Sequence, residues 1–323
     1  MESCQRALAG KGMGEFRRDR KNAYFHLPGL FEFYEFYRVF LPMFFEHREF
    51  FYDWCRIGSV YGSPAGCCWN GGRTHVREDY GDVTGEVKEA LALLEGRDIS
   101  ARLTFSNSQL TPGHLSDRRC NRACRLLEDE GYGKNGVIVH SELLREYLEN
   151  KYPGLYLVSS TTKVLMDFEE LRTELLRDCF SYVVPDFRLN KALESFKSLP
   201  QTCRDKAELL VNEGCYMGCR DRKECYENVS QKNLGEECED FICTAPGGRD
   251  GYVFSRAMRS PAFISLEEIK DIYLPMGISN FKIEGRGLGS ALLLEFILYY
   301  MTKPECQLQV REGIYLDNML DLF

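Results

Sequence analysis

Short apolar or β-branched runs, each closed by polar residues, recur along the chain from residue 57. Ile57–Tyr61 runs into Gly62-Ser63, Arg102–Phe105 into Ser106-Asn107, and Gly136–Val139 into His140-Ser141. Leu155–Val158, Tyr182–Val184, Glu208–Val211, Ala262–Ile264 and Phe281–Ile283 follow the same rule. Most are separated by stretches with helical period: Leu115–Glu130, Leu143–Lys151, Phe168–Leu176, Leu189–Leu199, Leu266–Tyr273 and Leu288–Thr302. Runs of this length bounded by turn residues read as strands, and the longer 3.6-period stretches read as helices. Eight strands alternating with helices predict parallel strands joined by right-handed crossovers. The fold class expected is α/β, a (β/α)8 TIM-like barrel. No glycine-rich dinucleotide turn follows the first predicted strand, which argues against a doubly wound sheet.

The segment before residue 57 reads differently. Residues 1–28 have no clear period and are expected to be an irregular arm. Residues 31–53 are rich in aromatics with helical spacing, Pro42 marking a kink. This gives a division into an N-terminal arm and aromatic helix (1–56) and a barrel (57–323). The stripe of Phe33, Phe36, Phe40 and Phe44 packs on the barrel or, if exposed, docks a protein partner.

Active sites of such barrels lie at the C-terminal ends of the strands. The polar residues that topology gathers there are Asn107, His140, Lys163, Asp186, Asn212, Glu213, Lys282 and Glu284. Gly285 to Ser290 (GRGLGS) opens the last helix. Arg286, Gly287 and Ser290 suit an anion held by backbone N–H groups at a helix start, although glycines also serve a plain turn.

Residues 214–258 form the longest stretch without period, too long for an ordinary loop. They are expected as an insertion after strand six. Five of the fourteen cysteines fall here: Cys215, Cys219, Cys225, Cys238 and Cys243, spaced C-x3-C-x5-C-x12-C-x4-C. Clustered thiols in an irregular loop suit an iron–sulfur cluster or zinc. Zinc sites favour C-x2-C pairs, absent from this run, so a cluster is the first expectation and zinc the alternative. A radical-SAM motif would need cysteine where Arg222 stands. Cys67 and Cys68, in the loop after the first predicted strand, are candidates to complete a cluster; Cys120 and Cys124 share a helix face and read as buried thiols.

Charge and hydropathy narrow the classes further. The formal net charge is −8, which speaks against a non-specific nucleic-acid binder. The longest apolar run, Ala291 to Met301, is interrupted by Glu295 and too short to span a bilayer. The first 25 residues lack the apolar core of a secretory signal. Many cysteines without an export signal imply free thiols in a reducing, cytoplasmic setting.

Two segments, ELLVNEGC (208–215) and GISNFKIEGR (277–286), resemble the collagenase-like peptidase family. RSPAFISLEEI (259–269) resembles the stretch that precedes the second motif. The resemblance implies a barrel and, in many members, a [4Fe-4S] cluster on four cysteines. Similar members hydroxylate RNA bases using prephenate or assist oxygen-independent hydroxylation in ubiquinone synthesis; others are described as proteases. The cluster ligands it suggests are Cys215, Cys219, Cys238 and Cys243, with Cys225 as alternate. The family's basic continuation after K-I-E-G-R is replaced by Gly287-Leu288-Gly289-Ser290.

An oxygen-independent, cluster-dependent oxidoreductase of hydroxylase type is therefore the leading functional expectation. Lys282, Glu284, Glu213 and His140 are its candidate catalytic groups, and Arg286, Asn107, Lys163, Asn212, Gly287 and Ser290 its candidate binding groups. The substrate class is a small anionic molecule or RNA. The alternatives are a peptidase and a non-catalytic cluster-binding subunit or electron carrier. A peptidase needs a nucleophile beside one of five histidines, with His140 best placed.

Overall fold

The computed structural model describes residues 19–75 and 81–320. Eight parallel strands form the sheet: β1 Ala23–Pro28, β2 Cys55–Gly62, β3 Ser100–Phe105, β4 Gly136–Val139, β5 Tyr156–Ser159, β6 Phe180–Val183, β7 Glu208–Leu210 and β8 Asn280–Lys282. Their order is β6-β5-β4-β3-β2-β1-β8-β7. One parallel bridge, Val183↔Ala207, joins the two ends. The result is a nearly closed α/β barrel of the (β/α)8, TIM-like kind.

Two strand expectations change. Residues 23–28 are not part of an irregular arm: β1 lies between β2 and β8 and begins the barrel. Ala262–Ile264 is not a strand; it is a buried loop that reaches the sheet through Ile264 N–H donating to Val211 O at 3.1 Å. Counting from β1, the cysteine-rich segment follows the seventh strand, and it holds a helix, Arg222–Asn233. Residues 1–18 of the expected arm lie outside the described residues.

Helix Tyr34–Glu46 runs through Pro42 without a break. Phe36, Phe40 and Phe44 are buried and Phe33 is half-buried, in contact with Phe51 and the C-terminal helix Gln307–Leu320. The aromatic stripe that would dock a partner is thus inside the molecule. Burying one such ring stabilises by roughly 2–3 kcal/mol.

A small apolar cluster lies inside the barrel. Tyr61, Ile138, Val158 and Val184 pack there against Tyr156 and Tyr182. Gly136 makes room for Tyr156: a Cβ at that position would sit 2.4 Å from the ring. No helix among the described residues is long and apolar enough to cross a membrane.

Candidate active site at the barrel mouth

Two charged layers stack along the barrel axis. In the lower one Glu208, from β7, is fully buried and faces Arg102, Lys282 and His26. Arg102 Nη1 donates to its Oε2 at 2.5 Å, Lys282 Nζ donates to its Oε1 at 3.2 Å, and His26 Nε2 lies 3.5 Å away. Burial opposes ionisation of Glu208, but Arg102, His26 and Lys282 hold it well below the usual carboxylate range. Lys282 also lies 3.6 Å from the Tyr61 ring centroid. Burial lowers its ammonium to about 8 despite Glu208.

The upper layer opens into a cavity of about 840 Å³ at the strand C-terminal ends. Glu213 is buried between Arg222, whose Nη2 donates to Oε2 at 2.6 Å, and Arg73, whose Nη1 donates to Oε1 at 2.8 Å. Burial is overcome by these two cations, and Glu213 stays ionised. Arg73 also donates to Glu284 Oε2 at 3.3 Å. Asn212 fixes the backbone of Glu284, accepting its N–H at 2.8 Å and donating to its carbonyl at 3.2 Å. Burial, and then the charge of Glu213, push the Glu284 carboxyl up to about 7.

The sulfur side of this cavity is formed by Cys215, Cys219, Cys225 and Cys243. Burial pushes the Cys215 thiol up to about 11 and also raises Cys225. Cys238 lies elsewhere: its sulfur accepts from Asn228 Nδ2 at 3.6 Å and does not line the cavity. Helix geometry explains why Cys225 lines the cavity and Cys238 does not. Cys225 sits in the first turn of helix Arg222–Asn233, on the face that carries Arg222 and Tyr226 to the same cavity. Among the described residues, no three of these four sulfurs lie within 4.8 Å of one another. A tetrahedral zinc site with bonds of about 2.3 Å needs that closeness; a four-iron cluster holds its thiolates farther apart.

Among solved structures the chain is similar to one described as the U32 peptidase Mk0906, at 14% identity and a TM-score of 0.48, over 85% of this chain and 98% of that one. No family model matches the chain and no curated protein does.

The other expected residues divide. Arg286 and Gly287 line the cavity. Arg286 is committed to structure, donating to Asn70 Oδ1 at 2.8 Å and Gly71 O at 2.6 Å. Asn107 is buried in the wall, donating to Cys68 O and Ser230 O. Lys163 pairs with Glu174 at 2.6 Å and Glu142 at 3.1 Å, outside the cavity. Ser290 is exposed at the start of its helix. His140 Nδ1 pairs with Thr162 Oγ1 at 2.9 Å, and Thr162 in turn donates to Ser160. Thr162 and Ser160 line the cavity; His140 reaches it only through them. Burial lowers His140 to about 4, so its ring is neutral at pH 7.

Sequence reasoning missed Arg73, Glu208, Arg102, His26 and the site role of Arg222. Arg102 and Glu208 did carry a signal, since a charged residue inside a short apolar strand must find a partner in the barrel. Arg73 carried none.

Proposed function

We propose that this chain is an oxygen-independent, iron–sulfur-dependent oxidoreductase of hydroxylase type, acting on a small anionic substrate at the barrel mouth. The observation that carries the reading is one cavity lined jointly by four thiols and by Arg73, Arg222, Lys282 and Glu284. The donor set suits a [4Fe-4S] cluster on Cys215, Cys219, Cys225 and Cys243. Arg222 supports it independently: its buried Nη1 has no hydrogen-bond partner, and such a donor meets the negative charge that four thiolates bring. When bound, the cluster supplies single electrons.

The chain's own residues do the rest. Arg73 and Arg222 give the mouth its positive charge and orient an anion. Lys282 Nζ, with its lowered affinity for a proton, gives up or takes a proton near neutral pH. Glu284, pushed up to about 7, holds a proton on its carboxyl in the layer above. Glu213 and Asn212 keep Arg73, Arg222 and Glu284 in place.

Metal and sulfide content after anaerobic purification tests the cluster. The expected result is about four irons with matching sulfide, lost in Cys215→Ala and Cys225→Ala and kept in Cys238→Ala. One zinc without sulfide at these cysteines overturns the cluster. For the substrate, calorimetry with prephenate is expected to show binding that Lys282→Met weakens about tenfold, the worth of one charge-assisted hydrogen bond at ~1.4 kcal/mol. Binding of RNA but of no small carboxylate would replace the substrate class and leave the cluster standing.

A further inference from the structure

A second group of thiols lies away from the cavity. The loop after β2 carries Cys67 and Cys68, and Asp117 caps helix Arg118–Asp129, accepting the Cys120 N–H at 2.7 Å. The Sγ atoms of Cys68 and Cys120 and a carboxylate oxygen of Asp117 all lie within 4.8 Å of one another. The Cys120 thiol also lies within hydrogen-bonding reach of Cys67. Cys67 and Cys120 are fully buried and Cys68 is half-buried, so the group has one side towards solvent. None of these residues lines the cavity at the mouth.

Buried thiols alone need no further explanation. The helix cap already places the Asp117 carboxylate; what the cap does not require is that two thiol sulfurs converge on it. A divalent cation accounts for that convergence. Two thiolates and a carboxylate are a borderline-soft donor set, of the kind that zinc accepts and calcium or magnesium does not. The loop that carries the thiols is anchored by Arg119, whose guanidinium donates to Ala65 O at 3.0 and 3.2 Å.

We propose that Cys68, Cys120 and Asp117 form a second metal site that takes one divalent cation of the zinc type, with its fourth position open to solvent on the Cys68 side. Its place gives it a structural role. It ties the loop after β2, which carries Arg73 to the mouth, to the helix that follows β3.

Cobalt(II) reports thiolate ligation through its charge-transfer absorption, so it is the probe. The experiment uses the full chain with Cys215, Cys219, Cys225 and Cys243 changed to serine, which keeps the mouth thiols from competing. One equivalent of cobalt with thiolate charge transfer and four-coordinate ligand-field bands is expected. Cys68→Ser, at a half-buried position that tolerates a hydroxyl, is expected to take the count from one to none. Asp117→Asn keeps a good helix cap but removes the anionic ligand, and is expected to weaken cobalt binding at least about tenfold, as even outer-sphere changes do. Absence of thiolate charge transfer overturns the site, and so does a spectrum that Cys68→Ser leaves unchanged. Neither result bears on the iron content of the unaltered chain, which tests the mouth separately.

Discussion

The two charged layers of the barrel are built from the same residue types and behave oppositely. Below, one carboxylate, Glu208, faces Arg102, Lys282 and His26. Above, two carboxylates, Glu213 and Glu284, share Arg73, and only Glu213 also has Arg222. Surplus positive charge pins Glu208 as an anion, while burial, with Arg102 beside it, costs Lys282 some of its hold on a proton. Above, two carboxylates share two cations, and burial together with the neighbouring charge of Glu213 leaves Glu284 with a carboxyl that keeps its proton to about 7. Burial acts on both layers; the count of cations for each carboxylate decides which groups are fixed and which exchange protons.

The largest effect is expected below. Glu208→Gln leaves Arg102 buried without its counter-charge, and loss of about 3–5 kcal/mol in urea-denaturation stability is the expected cost. A loss under 1 kcal/mol would mean that the lower layer does not hold the barrel together. Arg73→Gln should cost less, about 1 kcal/mol, because its side chain is 37% exposed and Arg222 still holds Glu213. The same denaturation series reads it.

Glu284→Gln should act through pH. A carboxyl whose folded pKa lies above its unfolded one binds a proton on folding. Stability from this group is therefore full below about 4.3, its unfolded pKa, and falls as pH rises to about 7. The wild type should lose up to about 1.4 kcal/mol per pH unit across that window from this group. Glu284→Gln should remove that slope, so the variant gains on the wild type as pH rises. Parallel stability curves for the two proteins would show that the upper layer does not store the proton. The smallest effect is spectroscopic. In NMR of reductively 13C-methylated protein, Lys282 should titrate near 8 while exposed lysines titrate near ~10.

Much of the barrel was legible in the sequence, because a run such as Gly136–Val139 between polar residues has few other ways to be buried. β1 was not: Ala23–Pro28 carries a histidine in its middle and a proline at its end, and follows a basic stretch. His26 is tolerated because it points inward to Ser59 at 2.7 Å. Ala262–Ile264 misled for the converse reason, since three apolar residues in a buried loop look like a three-residue strand. At the mouth, Glu213, Glu284 and Lys282 could be read from their places at strand ends. Arg73 could not, because its loop has no period and an arginine there looks like any solvated charge. That Cys225 rather than Cys238 lines the cavity depends on which face of a helix meets the barrel, and spacing alone does not carry that.

The lone bridge between Val183 and Ala207 has a mechanical consequence. In hydrogen-bond terms the sheet is a curled ribbon with a split between β6 and β7. Across that split, Arg188 beyond β6 donates to the carbonyl of Cys219 beyond β7 at 2.7 Å. The sulfur-bearing loop is thus a hasp over the split. The proposed cluster, by drawing these thiols together, would pull the ribbon shut, so that occupancy at the mouth and resistance of β6 and β7 to opening would rise together. Slower amide exchange in those two strands would report loading from the far side of the sheet.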